Sequence, residues 1–129
     1  MKLPENNRSY HKLIVYQKSL ELLLMTYRLT KMLPKEEIYI LLPQIRRAAI
    51  SIVANIVEGY SKSSTKEFIR FLDISRGSLT EVELYFEICL RLGYFTNEEF
   101  DRAQCLLTEV KKLIYSFQKA LRKRVGAKV

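Results

Sequence analysis

A single histidine, two cysteines and four glycines leave this chain of 129 residues short of the side chains from which metal and nucleophilic centres are built. His11 stands near the start of a helical pattern, where an imidazole is more often solvated or interfacial than a ligand. Helical ribonucleases that place a histidine soon after an arginine would need one late in the chain, and none is there. Cys89 and Cys105 lack a CxxC partner and lie inside helical patterns, so they read as buried free thiols rather than a disulfide or metal site. The loop from Gly59 to Ser64 has one glycine, too few for a phosphate-binding loop. Neither a metal nor a cofactor is expected, and the chain does not read as an enzyme.

Long apolar runs are missing as well. No stretch approaches the roughly 18 to 20 residues of a membrane span, and Met1 to Lys12 has no apolar signal-peptide core, so a cytoplasmic protein without membrane contact is expected. Alternating period-two runs are absent, which leaves little room for a sheet. No interval resembles an interdomain linker, and the 48% hydrophobic content suffices for one core. One domain over 1–129 is expected, with a flexible N-terminal arm to about residue 10 and a basic tail from about residue 122.

Four long periodic segments are present, and they make the fold class all-α. The first should span His11 to Met32, with Leu13, Tyr16, Leu20, Leu23, Leu24 and Tyr27 on its core face and Pro34 ending it. The second should start with Pro43 at its first position and stop near Gly59, with a short helical turn in Lys35 to Leu41 before it. Ser64 with Glu67 forms a capping-box pattern for the third, which closes at Gly93. Thr96 with Glu99 repeats the box for the fourth, and Phe95 with Phe100 fits a hydrophobic staple. Its seam follows as Phe100, Ala103, Leu106, Leu107, Val110, Leu113, Ile114, Phe117 and Leu121. Paired acids at Glu36-Glu37 and Glu98-Glu99 complement helix starts. Short connections between long helices predict an antiparallel up-down-up-down four-helix bundle.

Two helices carry more apolar surface than one bundle can bury. The first has a second line at Val15, Leu22, Met25 and Leu29. The third has Phe68, Leu72, Leu79, Val82 and Phe86 on one seam, with Ile69, Ile74, Tyr85, Ile88 and Leu92 turned away. Burial against other copies in a homo-oligomer is the expectation, and Gly77 with Ser78 would permit a close helix approach.

The second helix is apolar around most of its circumference, which places it in the middle of something. Its polar residues Gln44, Arg47, Ser51, Asn55 and Glu58 share an arc of about 80°. Arg47 and Glu58 could form an acid and base tuned by burial, with Ser51 and Asn55 as relays. A satisfied buried network that fixes the register of the bundle is preferred, because no nucleophile, metal-ligand set or phosphate loop accompanies the stripe.

The basic residues are organised too. The net charge of +8 suits polyanionic partners. Lys111, Lys112, Lys119, Arg122 and Lys123 fall within an arc of about 120° opposite the fourth seam. No acid follows Glu109, and Arg124 and Lys128 carry the charge into the tail. A phosphate-backbone surface for RNA or DNA is the functional reading; a solvated, solubilising face is the alternative. Tyr115 is the only nearby ring expected to face outward, so base stacking has little support from the sequence and sequence-specific readout has none.

The strings YQKS from Tyr16, QIRRAAISIVANIVEG from Gln44 to Gly59, KEFIRFL from Lys66, RGSLTEVE from Arg76 and Leu92-Gly93-Tyr94 together are a family pattern. Over about residues 13 to 121 the chain resembles the bacterial four-helix bundle family encoded in intervening sequences of large-subunit rRNA genes. The accessory variability determinant of diversity-generating retroelements is a relative of that group. The resemblance implies an antiparallel bundle assembled as a ring of five, with no known catalytic residues. In the retroelement relatives the ring is basic, contacts nucleic acid and works with a reverse transcriptase. The chain departs from the usual pattern at Tyr16, where tryptophan is common, and at Val53, where proline is common.

Overall fold

Capping side chains set where the helices begin and end. The computed structural model describes residues 9–127. These form α1 (Ile14–Thr30), α2 (Leu41–Tyr60), α3 (Thr65–Arg91) and α4 (Asn97–Ala127), with 3-10 turns at Tyr10–Lys12 and Lys35–Glu37 and no strand among the described residues. The Thr96 box is complete: its hydroxyl accepts from the Glu99 N–H at 3.1 Å, and the Glu99 carboxylate accepts from the Thr96 N–H at 2.8 Å. The Ser64 box is half formed. Its hydroxyl accepts from the Glu67 N–H at 3.3 Å, while the Glu67 carboxylate turns to Arg70 at 3.1 Å. Gly93 sits at φ 79°, and behind it the N–H groups of Tyr94 and Gly93 reach the carbonyls of Cys89 and Leu90 at 2.8 and 3.0 Å, closing α3.

Three boundaries differ from expectation. α1 starts at Ile14, after a separate 3-10 turn and an extended Leu13. α2 starts at Leu41, so Pro43 is its third residue; the missing N–H is still one of the four that have no partner at a helix start. α4 stays helical through Ala127, so residues 122–127 continue the helix instead of forming a tail. Most of the expected N-terminal arm, and Lys128, lie outside the described residues. Tyr10 within that arm stacks on His11 and meets Tyr16 edge-on at 4.8 Å.

α1 packs on α2, α2 on α3, α3 on α4, and α4 back on α1. The core between them holds Leu22, Ile45, Ile52, Ile56, Leu72, Leu79, Phe86, Leu107 and Ile114. The α3 seam is buried at Leu72, Leu79, Val82 and Phe86, with Phe68 packed against it. The expected α4 seam is buried at Ala103, Leu106, Leu107, Val110, Ile114 and Leu121, with Phe100, Leu113 and Phe117 half-buried beside it.

The most buried positions of α1 are not those expected for its core face, although Leu13, Tyr16 and Leu23 of that face still pack against the core, as do Met25 and Leu29 of the second line. Val15, Ser19, Leu22, Thr26 and Thr30 enter the core, while Leu13, Tyr16, Leu20, Leu23 and Tyr27 are half-buried and Leu24 is exposed. Thr26 and Thr30 donate to the carbonyls of Leu22 and Thr26 at 2.8 and 2.7 Å, so their hydroxyls enter the core already satisfied. The bulkier leucines and tyrosines are left on the flanks.

α2 and α3 approach closely at Gly59. A Cβ at Gly59 would lie 2.8 Å from Phe68 Cδ1 and 2.9 Å from Phe71 Cβ, so glycine is what allows this approach. Ser75 donates to the Ile52 carbonyl at 2.8 Å, and the Ser78 and Ser51 hydroxyls meet at 2.7 Å. Ser78 is thus buried at a contact within the protomer, whereas a Cβ at Gly77 meets nothing there within 4 Å.

Candidate nucleic-acid interface

α4 turns its apolar seam inward, which leaves its cations outward. Lys111, Lys112, Lys119, Arg122, Lys123 and Arg124 are all exposed. They divide by partner. Lys111 Nζ lies 3.1 and 3.2 Å from the two Glu83 oxygens, and Arg122 Nη2 lies 3.9 Å from Asp73, both acids belonging to α3. The Gln104 amide, and after it Lys111, hold the Glu83 carboxyl below the usual carboxylate range against the opposing effect of partial burial. Lys112, Lys119 and Lys123 have no acidic partner among the described residues. Arg124 is also unpaired, but at 100° per residue it points about 100° away from Lys123 and outside the stripe. On the α1 side, Lys18 bridges Glu109 and Glu21 at 3.4 Å each.

Two supporting residues are not apparent from the sequence. Gln118 is wholly buried; its amide donates to Asp73 at 2.7 Å and to the Ile69 carbonyl at 3.2 Å, and its oxygen accepts from Arg76 at 3.3 Å. It thus positions the acid that faces Arg122. The available clue is its spacing of four from Ile114 and eight from Val110. Arg46, beside the singled-out Arg47, lays its guanidinium 4.4 Å from the Tyr27 ring centre and donates to Thr30 Oγ1 at 3.0 Å and the Tyr27 carbonyl at 3.4 Å. It closes the C-terminal end of α1.

The polar stripe of α2 is a surface feature of the protomer. Gln44, Arg47 and Glu58 lie at the surface rather than in a buried network, and Glu58 pairs with Lys62 at 3.1 Å. Only the middle forms a network, where Asn55 donates to the Ser51 carbonyl and hydroxyl at 2.8 and 3.0 Å and Ser51 meets Ser78. Arg47 and Glu58 lie three turns apart and are not brought together. Of the wide apolar circumference of α2, Ile50 and Ala54 stay exposed in the protomer.

Elsewhere, His11 is held by Ser9 and the Tyr10 and Tyr16 rings. Cys89 is buried, and desolvation pushes its thiol up to about 11; Cys105 is exposed, contrary to expectation, because it lies on the outer side of α4. Tyr94 donates to Glu37 at 2.7 Å, which pushes the phenol up to about 12 and ties the α3–α4 loop to the Lys35–Glu37 turn. Among the described residues no cluster of His, Cys, Asp and Glu could hold a metal ion, and no helix is long and apolar enough to cross a membrane.

These features define an all-α protein of four helices with an exposed row of cations on α4. The sequence pattern of the 23S rRNA-intervening sequence protein family matches residues 11–116, and the chain belongs to that family. The fold is similar to the crystal structure of a protein with unknown function from the S23 ribosomal protein family of Bacteroides thetaiotaomicron VPI-5482. The TM-score is 0.76 at 33% identity, covering 82% of this chain and 99% of that one. No match is found among curated proteins.

Proposed function

We propose that this protein is a non-enzymatic accessory protein that binds RNA or DNA through α4 with little sequence preference. The observation that carries the reading is the segregation of charge: Lys112, Lys119 and Lys123 are exposed without acidic partners among the described residues, whereas Lys111 and Arg122 are held by α3. Ammonium groups free of intramolecular partners are available to phosphates, and they offer nothing that distinguishes one base edge from another.

The same reading includes an up-down-up-down bundle assembled as a cytoplasmic homopentamer. Oppositely running pairs support the topology: Ser75 with Ile52 and Ser78 with Ser51 between α2 and α3, and Asp73 with Arg122 and Glu83 with Lys111 between α3 and α4. Exposed Leu24, Ile50 and Leu84 support burial against other copies. A ring repeats the lysine row and strengthens weak contacts by multivalency. Likeness to the retroelement determinant makes a reverse transcriptase the protein partner to test. The competing reading, a protein-binding scaffold whose charge serves solubility, draws on the same exposed apolar residues.

Binding of fluorescent RNA and DNA as a function of salt separates the two. Affinity should fall steeply with salt, and Lys112→Glu with Lys119→Glu should weaken binding to every sequence alike. The log-log salt slope should flatten by roughly 0.7 to 0.9 for each phosphate that is no longer neutralised. A double variant that binds as tightly as the parent at every salt concentration, or a parent that does not bind at low salt, replaces this reading with the scaffold.

A further inference from the structure

Tyr115 is the one large apolar side chain exposed on α4 among the described residues, at 54% of its full surface; the other exposed large apolar residues lie on α1, α2, α3 and their connections. No ring stacks on it and no cation caps it within the described residues. Its surroundings are cationic. Lys112 precedes it by three residues and Lys119 follows by four, about 4.5 and 6 Å along the helix axis and on the same side. Lys111 and Arg122 flank its other edge, where Glu83 and Asp73 draw them toward α3. The ring therefore stands at the border between a neutralised row and an unpaired one.

Resting on the nucleic-acid reading, we infer that the occupant of this face is a single strand, with phosphates along Lys112, Lys119 and Lys123 and a base stacked on Tyr115. An exposed ring set in a line of cations matches the recipe for sequence-tolerant single-strand binding, in which any base offers a π-face. In a duplex the bases are stacked on one another, and a ring among lysines gains nothing from phosphates. Ammonium groups and a ring face do not read the 2′-hydroxyl, so RNA and DNA strands should bind with similar affinity.

The test compares a uridine homopolymer, a thymidine homopolymer of the same length and a mixed-sequence duplex, each labelled, at low salt. Tyr115→Ala should weaken both single strands by about 5- to 150-fold, the alanine cost of one stacked base, and leave duplex binding as it was. Tyr115→Phe should bind like the parent, and Lys112→Glu with Lys119→Glu should weaken all three probes. Since Tyr115 is on the surface, circular dichroism should show the same helicity in each variant. A parent that binds nucleic acid while Tyr115→Ala holds single strands equally tightly overturns the single-strand inference alone, as does a parent that prefers duplex. A strong preference for one sugar overturns it too. A parent that binds none of the probes overturns the nucleic-acid reading and this inference with it.

Discussion

Gln118 is a polar side chain sealed into an apolar seam, and it earns its position by bonding in three directions: to the α3 backbone at Ile69, to Asp73 and to Arg76. Burying an amide without partners would be costly, so truncation strands the groups it served. Gln118→Ala should lower unfolding free energy by about 1–3 kcal/mol in urea denaturation, with most of the loss from unpaired partners. Glu58 belongs at the other extreme. Its i,i+4 pair with Lys62 is exposed, so Glu58→Gln should change stability by no more than about 0.5 kcal/mol. Neither outcome can be read from residue type. Glutamine is usually wet, which hides Gln118, and the apolar helix around Glu58 points to a burial that the fold does not supply. Burial is decided by the neighbour across the contact, which a single helical period does not contain.

Helix ends are legible where a side chain or a glycine performs the capping, as at Thr96, Ser64 and Gly93. The start of α1 is not, because its first residue has no side-chain cap and the preceding 3-10 turn has its own. The apolar seam residues of α3 and α4 are legible from their period, which leaves out the buried Ser75 and Gln118. The seam of α1 is not, since hydroxyls bonded to their own helix occupy positions that a hydrophobic count assigns to solvent. The two mid-sequence glycines show the same dependence on context. Gly59 faces Phe68 and Phe71 at distances a Cβ cannot tolerate, whereas Gly77 faces open space. Thermal or urea melts should therefore move in opposite directions: Gly59→Ala should cost about 1–3 kcal/mol by overpacking, and Gly77→Ala should gain up to about 1 kcal/mol by helix propensity.

At the scale of the molecule, the burial of Leu22 and the exposure of Leu24 change which substitutions test assembly. Leu22 is wholly buried in the protomer, so Leu22→Glu should unfold it; Leu24 is exposed, so Leu24→Glu should keep the helices and remove apolar surface offered to other copies. Sedimentation with circular dichroism reads both outcomes, and under the ring reading Leu24→Glu should shift the mass toward the 15.2 kDa protomer. The basic face is legible in the sequence as a stripe, but its division into held and free cations is not, because Glu83 and Asp73 are distant along the chain.

The hydroxyls along the core side of α1 have one more effect. Thr26 and Thr30 bond within their own helix and the Ser19 hydroxyl has no partner among the described residues, whereas α2 and α3 are stitched together by Ser75 and Ser78. α1 is held to its neighbours by a polar clasp at its C-terminal end, where Arg46 grips Tyr27 and Thr30, and by the surface pair of Lys18 with Glu109. The N-terminal half of α1 is thus tied down mainly by the apolar burial of Val15 and Leu22, and a swing of that half about the Arg46 clasp is expected to cost less than parting α2 from α3. Amide protons from Val15 to Leu22 would exchange with solvent ahead of those in α2 and α3, and equal protection of all the helices would rule such a hinge out.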